Sequence, residues 1–155
     1  MLTPGSKAPA FTLESDGGKT VALKDLKGKK VVLYFYPKDD TSGCTVEACE
    51  FKASWKAVQA AGATVLGVSP DSVTSHHKFK TKYKLPFPLL SDPDHTVAEA
   101  YGAWGEKSMY GRKYMGILRS TVVIDESGRV LRRFEKVQPK GHAAAVLAVL
   151  HGPAV

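Results

Sequence analysis

The sequence has few cysteines and no long apolar segment. Only two of its 155 residues are cysteine, Cys44 and Cys49, which is too few for a disulfide-scaffold fold. No apolar run reaches the roughly 18 residues of a membrane-spanning helix. The first residues also lack the charged-then-apolar arrangement of a signal peptide. We therefore expect a cytoplasmic protein without a membrane partner, whose two thiols stay reduced.

Internal repeats, low-complexity tracts and linkers are absent as well. Hydrophobic residues make up 43% of the chain and charged residues 24%, which are ordinary values for a globular protein. The length suits one domain and is sufficient to bury a hydrophobic core. We therefore predict a single domain over residues 1–155.

The positive net charge of +7 is the one unusual feature of the composition. Such a charge can indicate a nucleic-acid or anionic-membrane partner. The basic residues are spread along the chain, however, and the densest cluster is only Lys27, Lys29 and Lys30. No aromatic-plus-basic RNA motif accompanies them. We interpret the charge as a solvated basic surface, and a nucleic-acid-binding module remains an alternative that rests on charge alone.

Metal-ligand spacing is also missing. Zinc sites use close pairs such as C-x-x-C or H-x-x-x-H. The two cysteines are five positions apart, and the adjacent His76 and His77 would point in different directions on a helix. We expect no metal site, no cofactor, and histidines at the surface or in helix packing. The histidines are His76, His77, His95, His142 and His151.

Strand-like and helix-like segments alternate along the chain. Strands are predicted at 11–13, 20–22, 31–36, 64–68, 89–90, 121–125 and 130–136. Helices are predicted at 47–61, 94–101 and 143–150, and a further helix with Ser72 as its N-cap is predicted to run to about residue 83. The glycine-rich segment 102–116 is predicted to be a loop. This order predicts a three-layer α/β/α domain with a mixed sheet and an N-terminal β-hairpin. A thioredoxin-like architecture fits it.

Cys44 lies where a buried strand stops at Pro37, the chain turns and a helix begins. The first helical turn has free backbone N–H groups, and the helix dipole adds about half a positive charge there. Both effects favour the thiolate, which is the nucleophilic form of cysteine. The alternative is that Cys44 is a small buried hydrophobic residue, as free cysteine often is. Its position favours reactivity.

The pattern P-x-x-x-T-x-x-C, formed by Pro37, Thr41 and Cys44, resembles the active-site motif of peroxiredoxins. Other segments resemble the bacterioferritin comigratory protein branch of that family, also called peroxiredoxin Q. These segments are 67–72 followed by 75–76, 85–87 with 90–92, and 110–111 leading to 119–121. Two positions depart from the pattern: Val122-Val123 stands in place of an aromatic residue followed by valine, and Pro70 occupies the variable position of the Val-Ser-x-Asp segment. Neither departure involves a residue with a chemical role. The resemblance implies a thioredoxin-like fold and thiol-dependent reduction of hydrogen peroxide and organic hydroperoxides in antioxidant defence.

The same resemblance implies a role for each site residue. Cys44 would attack the peroxide and become a sulfenic acid. Thr41 would direct its hydroxyl to the sulfur or the peroxide, while Pro37 would shape the loop and exclude water. Arg119 would favour the thiolate and orient the peroxide, and Glu47 would position Arg119. Without the resemblance, Thr41 would be a helix N-cap, Pro37 a strand terminator and Arg119 a surface ion-pair partner.

Cys49 would resolve the sulfenic acid as an intramolecular disulfide, and thioredoxin or a glutaredoxin would reduce that disulfide. On an intact helix, residues five apart have Cα atoms about 8.6 Å apart on nearly opposite faces. A disulfide needs about 4.4–6.8 Å, so the helix start has to unwind, a motion that Gly43 would ease. The alternative is that Cys49 packs in the core and an external thiol resolves Cys44. The family branch suggests a monomer, with a dimer still open.

The nearest rival is a disulfide oxidoreductase of the thioredoxin type. Such an enzyme uses C-x-x-C, in which the two sulfurs are held close enough to bridge. This chain has C-x-x-x-x-C instead. The spacing therefore favours peroxide attack over equilibrium disulfide exchange, while the sequence leaves the preferred peroxide open.

Overall fold

A seven-stranded mixed sheet forms the centre of the protein. The computed structural model describes residues 2–151, so the predicted domain 1–155 extends at both ends outside the described residues. The strand order is β2-β1-β5-β4-β3-β8-β9. These strands are β1 Thr12–Ser15, β2 Thr20–Ala22, β3 Lys30–Phe35, β4 Ala63–Ser69, β5 Leu89–Ser91, β8 Ser120–Ile124 and β9 Val130–Phe134. The two intervening strands, β6 Trp104–Met109 and β7 Arg112–Ile117, form a separate hairpin.

Helices cover both faces of this sheet. They are α1 Ser42–Ala53, α2 Trp55–Ala60, α3 Val73–Tyr83, α4 Thr96–Ala100 and α5 His142–Leu150, with a 3₁₀ helix at Leu23–Leu26. One hydrophobic core lies under α1, α2, α3 and α5, and the other lies under α4 and the N-terminal segment. The predicted three-layer arrangement, mixed sheet and N-terminal hairpin are confirmed. Among residues 2–151, no helix is long and apolar enough to cross a membrane.

Strand β3 is the centre of the sheet and sets the position of the site. It is rich in β-branched and aromatic residues, and all but its first residue are buried, as expected for a strand covered on both faces. It pairs in parallel with β4 and antiparallel with β8. Phe35, at the end of β3, lies opposite Ser120, at the start of β8. Residue 119 is therefore brought beside the loop that connects β3 to α1.

Three sequence predictions of elements need correction. Segment 102–116 is not a loop: β6 and β7 pair over their full lengths, joined by Tyr110 and Gly111. Both of these residues have positive φ, 51° and 78°, as a two-residue hairpin turn requires. The helix predicted at 47–61 begins earlier, at Ser42, and is interrupted at Ser54, where ψ is 2°. The helix predicted at 94–101 is only Thr96–Ala100.

Candidate active site

Cys44 lies in the first turn of α1 and is only 1% exposed. Thr41 is the residue before the helix, and its carbonyl accepts the first hydrogen bond of the helix, from the amide of Thr45. The preceding amides, including that of Cys44, have no partner within the helix. The first turn contains no acidic residue that would compete for the positive end of the helix dipole. The first turn of α1 therefore presents free amides and the positive end of the helix dipole at the position of the Cys44 sulfur.

Arg119 joins Cys44 to Glu47 through its two terminal nitrogens. Nη2 donates to the Cys44 sulfur at 3.3 Å, and Nη1 donates to Glu47 Oε1 at 2.7 Å. The planar guanidinium suits this arrangement because its N–H groups have a fixed fork geometry. Arg119 directly precedes β8. The residues that carry its two acceptors, Cys44 and Glu47, lie three positions apart on one face of α1. The sequence prediction brought these three residues together, and the geometry places them in contact.

Burial and ion pairing act in opposite directions on Glu47. The side chain is 1% exposed, and burial raises its pKa from 4.5 to about 7, although the Arg119 guanidinium pulls in the other direction. Burial lowers the pKa of Arg119, but the negative charges of Glu47 and Cys44 outweigh it and raise the value overall. Arg119 is thus a permanent cation held between one carboxyl group and one thiol.

Gly43 leaves space for the guanidinium. A Cβ atom at this position would lie 3.3 Å from Arg119 Nη2 and 3.4 Å from Cγ of Pro139. Both contacts are tight, so a side chain here would press on the nitrogen that contacts the sulfur. The sequence suggested Gly43 only as an aid to helix unwinding, and it did not single out Pro139.

The loop before α1 contains the other two predicted residues. Pro37 is half-buried and directly follows Tyr36, so it ends the strand at the site. Thr41 occupies the N-cap position, but its hydroxyl makes no capping bond and donates to the carbonyl of Lys38 at 2.9 Å. The direct contact of Thr41 with sulfur or peroxide therefore stays a prediction, as does the water-excluding role of Pro37.

Cys49 lies on the same continuous helix as Cys44 and is half-buried. Both thiols are free, so the structure corresponds to the reduced form. For an intact helix, the expected Cα separation of about 8.6 Å is too long for a disulfide.

Similarity to known proteins agrees with this geometry. Residues 4–133 match the AhpC/TSA family. The peroxiredoxin Bcp of Bacillus subtilis is 51% identical over 146 residues, covering 94% of this chain and 93% of that protein. A solved structure of the Xanthomonas campestris bacterioferritin comigratory protein is 41% identical, with a TM-score of 0.90 over 96% of this chain and 98% of that one. The chain belongs to the AhpC/TSA family of peroxiredoxins.

This peroxiredoxin is therefore a thiol peroxidase of the Bcp type, with a thioredoxin-like fold. The Xylella fastidiosa peroxiredoxin Q structure supports the same branch, at 37% identity and a TM-score of 0.92 over 97% of this chain and 96% of that one. The family resemblance inferred from the motif and the downstream segments is confirmed, and the interpretation as a thioredoxin-type disulfide oxidoreductase falls away.

Sequence reasoning missed two polar residues of the peroxiredoxin's site. Burial lowers the pKa of half-buried Lys107, and so does the charge of Arg119, while Cys44 opposes them. Lys107 lies on β6, in the segment predicted to be a loop, so no periodicity pointed to it. Burial, with Glu47 and Cys44 nearby, raises the pKa of Tyr34 well above its ordinary value. Tyr34 counted only as a strand residue because alternation and burial are the only signals that the sequence gives there.

Two of the histidines are buried on helices, as the expectation of helix packing allowed, but the sequence did not show their polar partners. His142 is buried and its Nε2 lies 2.7 Å from the hydroxyl of Thr121. Burial lowers its pKa to about 4, with a smaller contribution from Arg119, so His142 is neutral at pH 7. His76 is also fully buried, in a polar network with Asp39. A hydrophobic pattern cannot show in advance that a helix will bury a histidine against polar partners.

Proposed function

We propose that Cys44 is the peroxidatic cysteine and that it reduces alkyl hydroperoxides as well as hydrogen peroxide. The contact between Arg119 Nη2 and the Cys44 sulfur carries this proposal, because it places the permanent positive charge of the guanidinium beside the nucleophile. The Xanthomonas campestris bacterioferritin comigratory protein has an alkyl peroxide reduction activity. Its high similarity to this chain supports the same substrate class here.

The reaction has two steps at sulfur. The Cys44 thiolate attacks the terminal peroxide oxygen, the O–O bond breaks, and the leaving alkoxide takes up a proton to become an alcohol or water. Arg119 orients the peroxide while the O–O bond polarises, Thr41 donates its hydroxyl to the peroxide, and Pro37 keeps water from the sulfur. The resulting Cys44 sulfenic acid is then attacked by the Cys49 thiol, which forms the disulfide and releases water.

The second step requires α1 to change shape. The two cysteines lie on one helix at a spacing that a disulfide cannot bridge. We propose that the first turns of α1 unwind after oxidation, which also breaks the contact of Arg119 with Glu47. Buried Glu47 then becomes exposed, and its cost of burial is relieved in the oxidised form.

A protein thiol donor completes the cycle. We propose that thioredoxin, or a glutaredoxin, reduces the Cys44–Cys49 disulfide in the cytoplasm, where both cysteines return to the free thiols seen in the structure. We also propose that residues 1–155 form one domain that acts as a monomer, because the whole arrangement of Cys44, Glu47 and Arg119 comes from one chain.

The decisive experiment measures peroxide consumption coupled to a thioredoxin system. Cys44→Ser should abolish it, because no thiolate remains at the helix N-terminus. Cys49→Ser should consume one equivalent of peroxide, form a trappable sulfenic acid and then stop. A Cys44→Ser variant that still turns over would refute the assignment of the nucleophile. A Cys49→Ser variant with full turnover would show that an external thiol resolves Cys44.

Hydrogen exchange on the reduced and oxidised protein tests the unwinding. Amides at the start of α1 should lose protection on oxidation, while those of α3, Val73–Tyr83, should keep theirs. The double variant with both cysteines changed to serine is the control, because peroxide should leave its exchange unaltered. Equal protection of α1 in the two redox states would contradict the proposal.

A further inference from the structure

A buried polar network lies behind the loop that leads to Cys44. Its centre is the carboxylate of Asp39, whose side chain is 4% exposed. Oδ1 accepts from the Tyr36 hydroxyl at 2.6 Å, and Oδ2 accepts from the Ser75 hydroxyl at 2.8 Å. Oδ2 also lies 2.7 Å from Nδ1 of His76, which is fully buried on α3. The loop is thus tied to the helix that packs beside it.

The His76 ring is hydrogen-bonded through both of its nitrogens. Its Nε2 lies 2.9 Å from the carbonyl oxygen of Leu90, which can only accept, so Nε2 carries a proton. Its Nδ1 lies 2.7 Å from Asp39 Oδ2, a distance that requires a proton between the two atoms. The ring therefore links the buried side chain of Asp39 to the backbone of β5.

The backbone of Asp39 and the side chain of Asp40 are also hydrogen-bonded to residues next to or on α3. The amide of Asp39 donates to Asp71 Oδ2 at 2.8 Å, beyond the end of β4. The carboxylate of Asp40 accepts from Lys82 and from the Tyr83 hydroxyl, both at the end of α3 and both at 2.7 Å. Residues 39 and 40 are therefore both hydrogen-bonded to residues on the α3 side, directly before Thr41 and the start of α1.

We propose that His76 is a positioning residue for the peroxidatic loop: its ring, hydrogen-bonded through both nitrogens, holds Asp39, and through Asp39 it sets where α1 and Cys44 begin. The inference rests on the proposed role of Cys44. His76 touches no reacting atom, so it acts on the rate through the backbone of residues 39–41. Because this anchor lies before Thr41, it stays in place when α1 unwinds, and it returns Cys44 to Arg119 after reduction.

The competing interpretation of the same cluster is a metal site. The ligand atoms of Asp39, Asp71 and His76 lie within 4.8 Å of one another. Each of these atoms already has a hydrogen-bond partner, since Asp71 Oδ2 accepts from the Ser69 hydroxyl at 2.6 Å as well as from the amide of Asp39. A cation would have to displace the His76 proton and two further donors, and the network as it stands is complete without one.

Two substitutions of His76 separate the bonds that the ring makes. The amide of His76→Asn can replace Nδ1–H toward Asp39, whereas the amide of His76→Gln can replace only Nε2–H toward Leu90. We expect His76→Gln to lower the second-order rate constant with peroxide by roughly 10- to 100-fold, since misplacement of about 1 Å has effects of that size. His76→Asn should recover most of the loss. His77→Gln is the matched control, because His77 is exposed on the same helix and should leave the rate unchanged.

Stability has to be measured on the same proteins. If the rates of the two His76 variants fall equally and follow their free energies of unfolding, His76 is only structural and the proposal is wrong. A His76→Gln variant as fast as wild type also overturns it. Failure of the proposed function would look different, because wild type itself would then show no thiol-dependent rate with peroxide.

Proton and nitrogen NMR of the reduced wild-type protein tests the hydrogen bond between His76 and Asp39 without any variant. We expect a strongly deshielded proton shared by His76 Nδ1 and Asp39 that exchanges slowly with water. The absence of such a proton would overturn the proposal. Titration with zinc is the companion measurement: tight one-to-one binding that perturbs the His76 signals would also overturn it, whereas unchanged signals support the hydrogen-bonded clamp.

Discussion

Glu47→Gln should change how the stability of the protein depends on pH. In the native state, burial raises the pKa of Glu47 from 4.5 to about 7. Between these two values the folded protein holds a proton that the unfolded chain has released, so stability falls as pH rises. Each pH unit of difference corresponds to about 1.4 kcal/mol, which gives a loss of about 3 kcal/mol across the interval. Glutamine cannot titrate, so the variant should lack this loss.

His142 contributes with the opposite sign in nearly the same interval. Its pKa is lowered from 6.5 to about 4, mainly by burial, so the unfolded chain holds the extra proton there and stability rises with pH. We expect about 2 kcal/mol from this residue after allowance for solvent screening. The two contributions largely cancel in the wild-type protein. Removing Glu47 therefore exposes the contribution of His142, and the stability of the variant should rise between about pH 4 and 6.5.

The assay is urea unfolding of the reduced protein at a series of pH values, with both thiols protected by a strong reductant. The side-chain amide introduced by Glu47→Gln can still accept the hydrogen bond of Arg119 Nη1, so the comparison rests on the slope with pH and not on the absolute stability. The exposed Glu126→Gln is the control and should follow wild type. If Glu47→Gln and wild type show parallel curves over this range, Glu47 is not the group with the raised pKa, and the reasoning fails.

Two further predictions concern Arg119 and Ser72. Arg119→Lys keeps the positive charge but cannot donate to Glu47 and the Cys44 sulfur at once, so stopped-flow kinetics should show a peroxide rate roughly 10²-fold lower; an unchanged rate would mean that charge alone suffices. Ser72→Ala removes the cap that accepts from the amide of Ser75 at 3.1 Å, and denaturant unfolding should show a loss of about 1 kcal/mol with wild-type peroxide chemistry. A loss within error of zero would show that α3 does not need this cap.

The sequence was sufficient for the elements whose signals are local. A buried run followed by Pro37 marks β3 and its end, and Ser72 marks the start of α3 because a cap acts within one turn. The β6–β7 hairpin was missed because its turn is Tyr110-Gly111, without the asparagine or aspartate that usually signals such a turn. Its exposed strands also lack a clean alternation of apolar and polar residues.

The residues of the site also differ in whether local sequence signals could predict them. Cys44 at a helix start follows from the chain alone, since the free amides and the dipole are properties of one helix. The 3.3 Å contact of Arg119 with its sulfur depends on the antiparallel register of β3 and β8, which joins residues 75 positions apart. The raised pKa of Glu47 and the lowered pKa of His142 depend on which side chains the sheet and helices bury and bring together. The sequence by itself indicated Cys44 as the candidate nucleophile and predicted the fold class, because both rest on local patterns. Only the tertiary structure decided the charges around Cys44, because burial and ion pairing arise between distant segments.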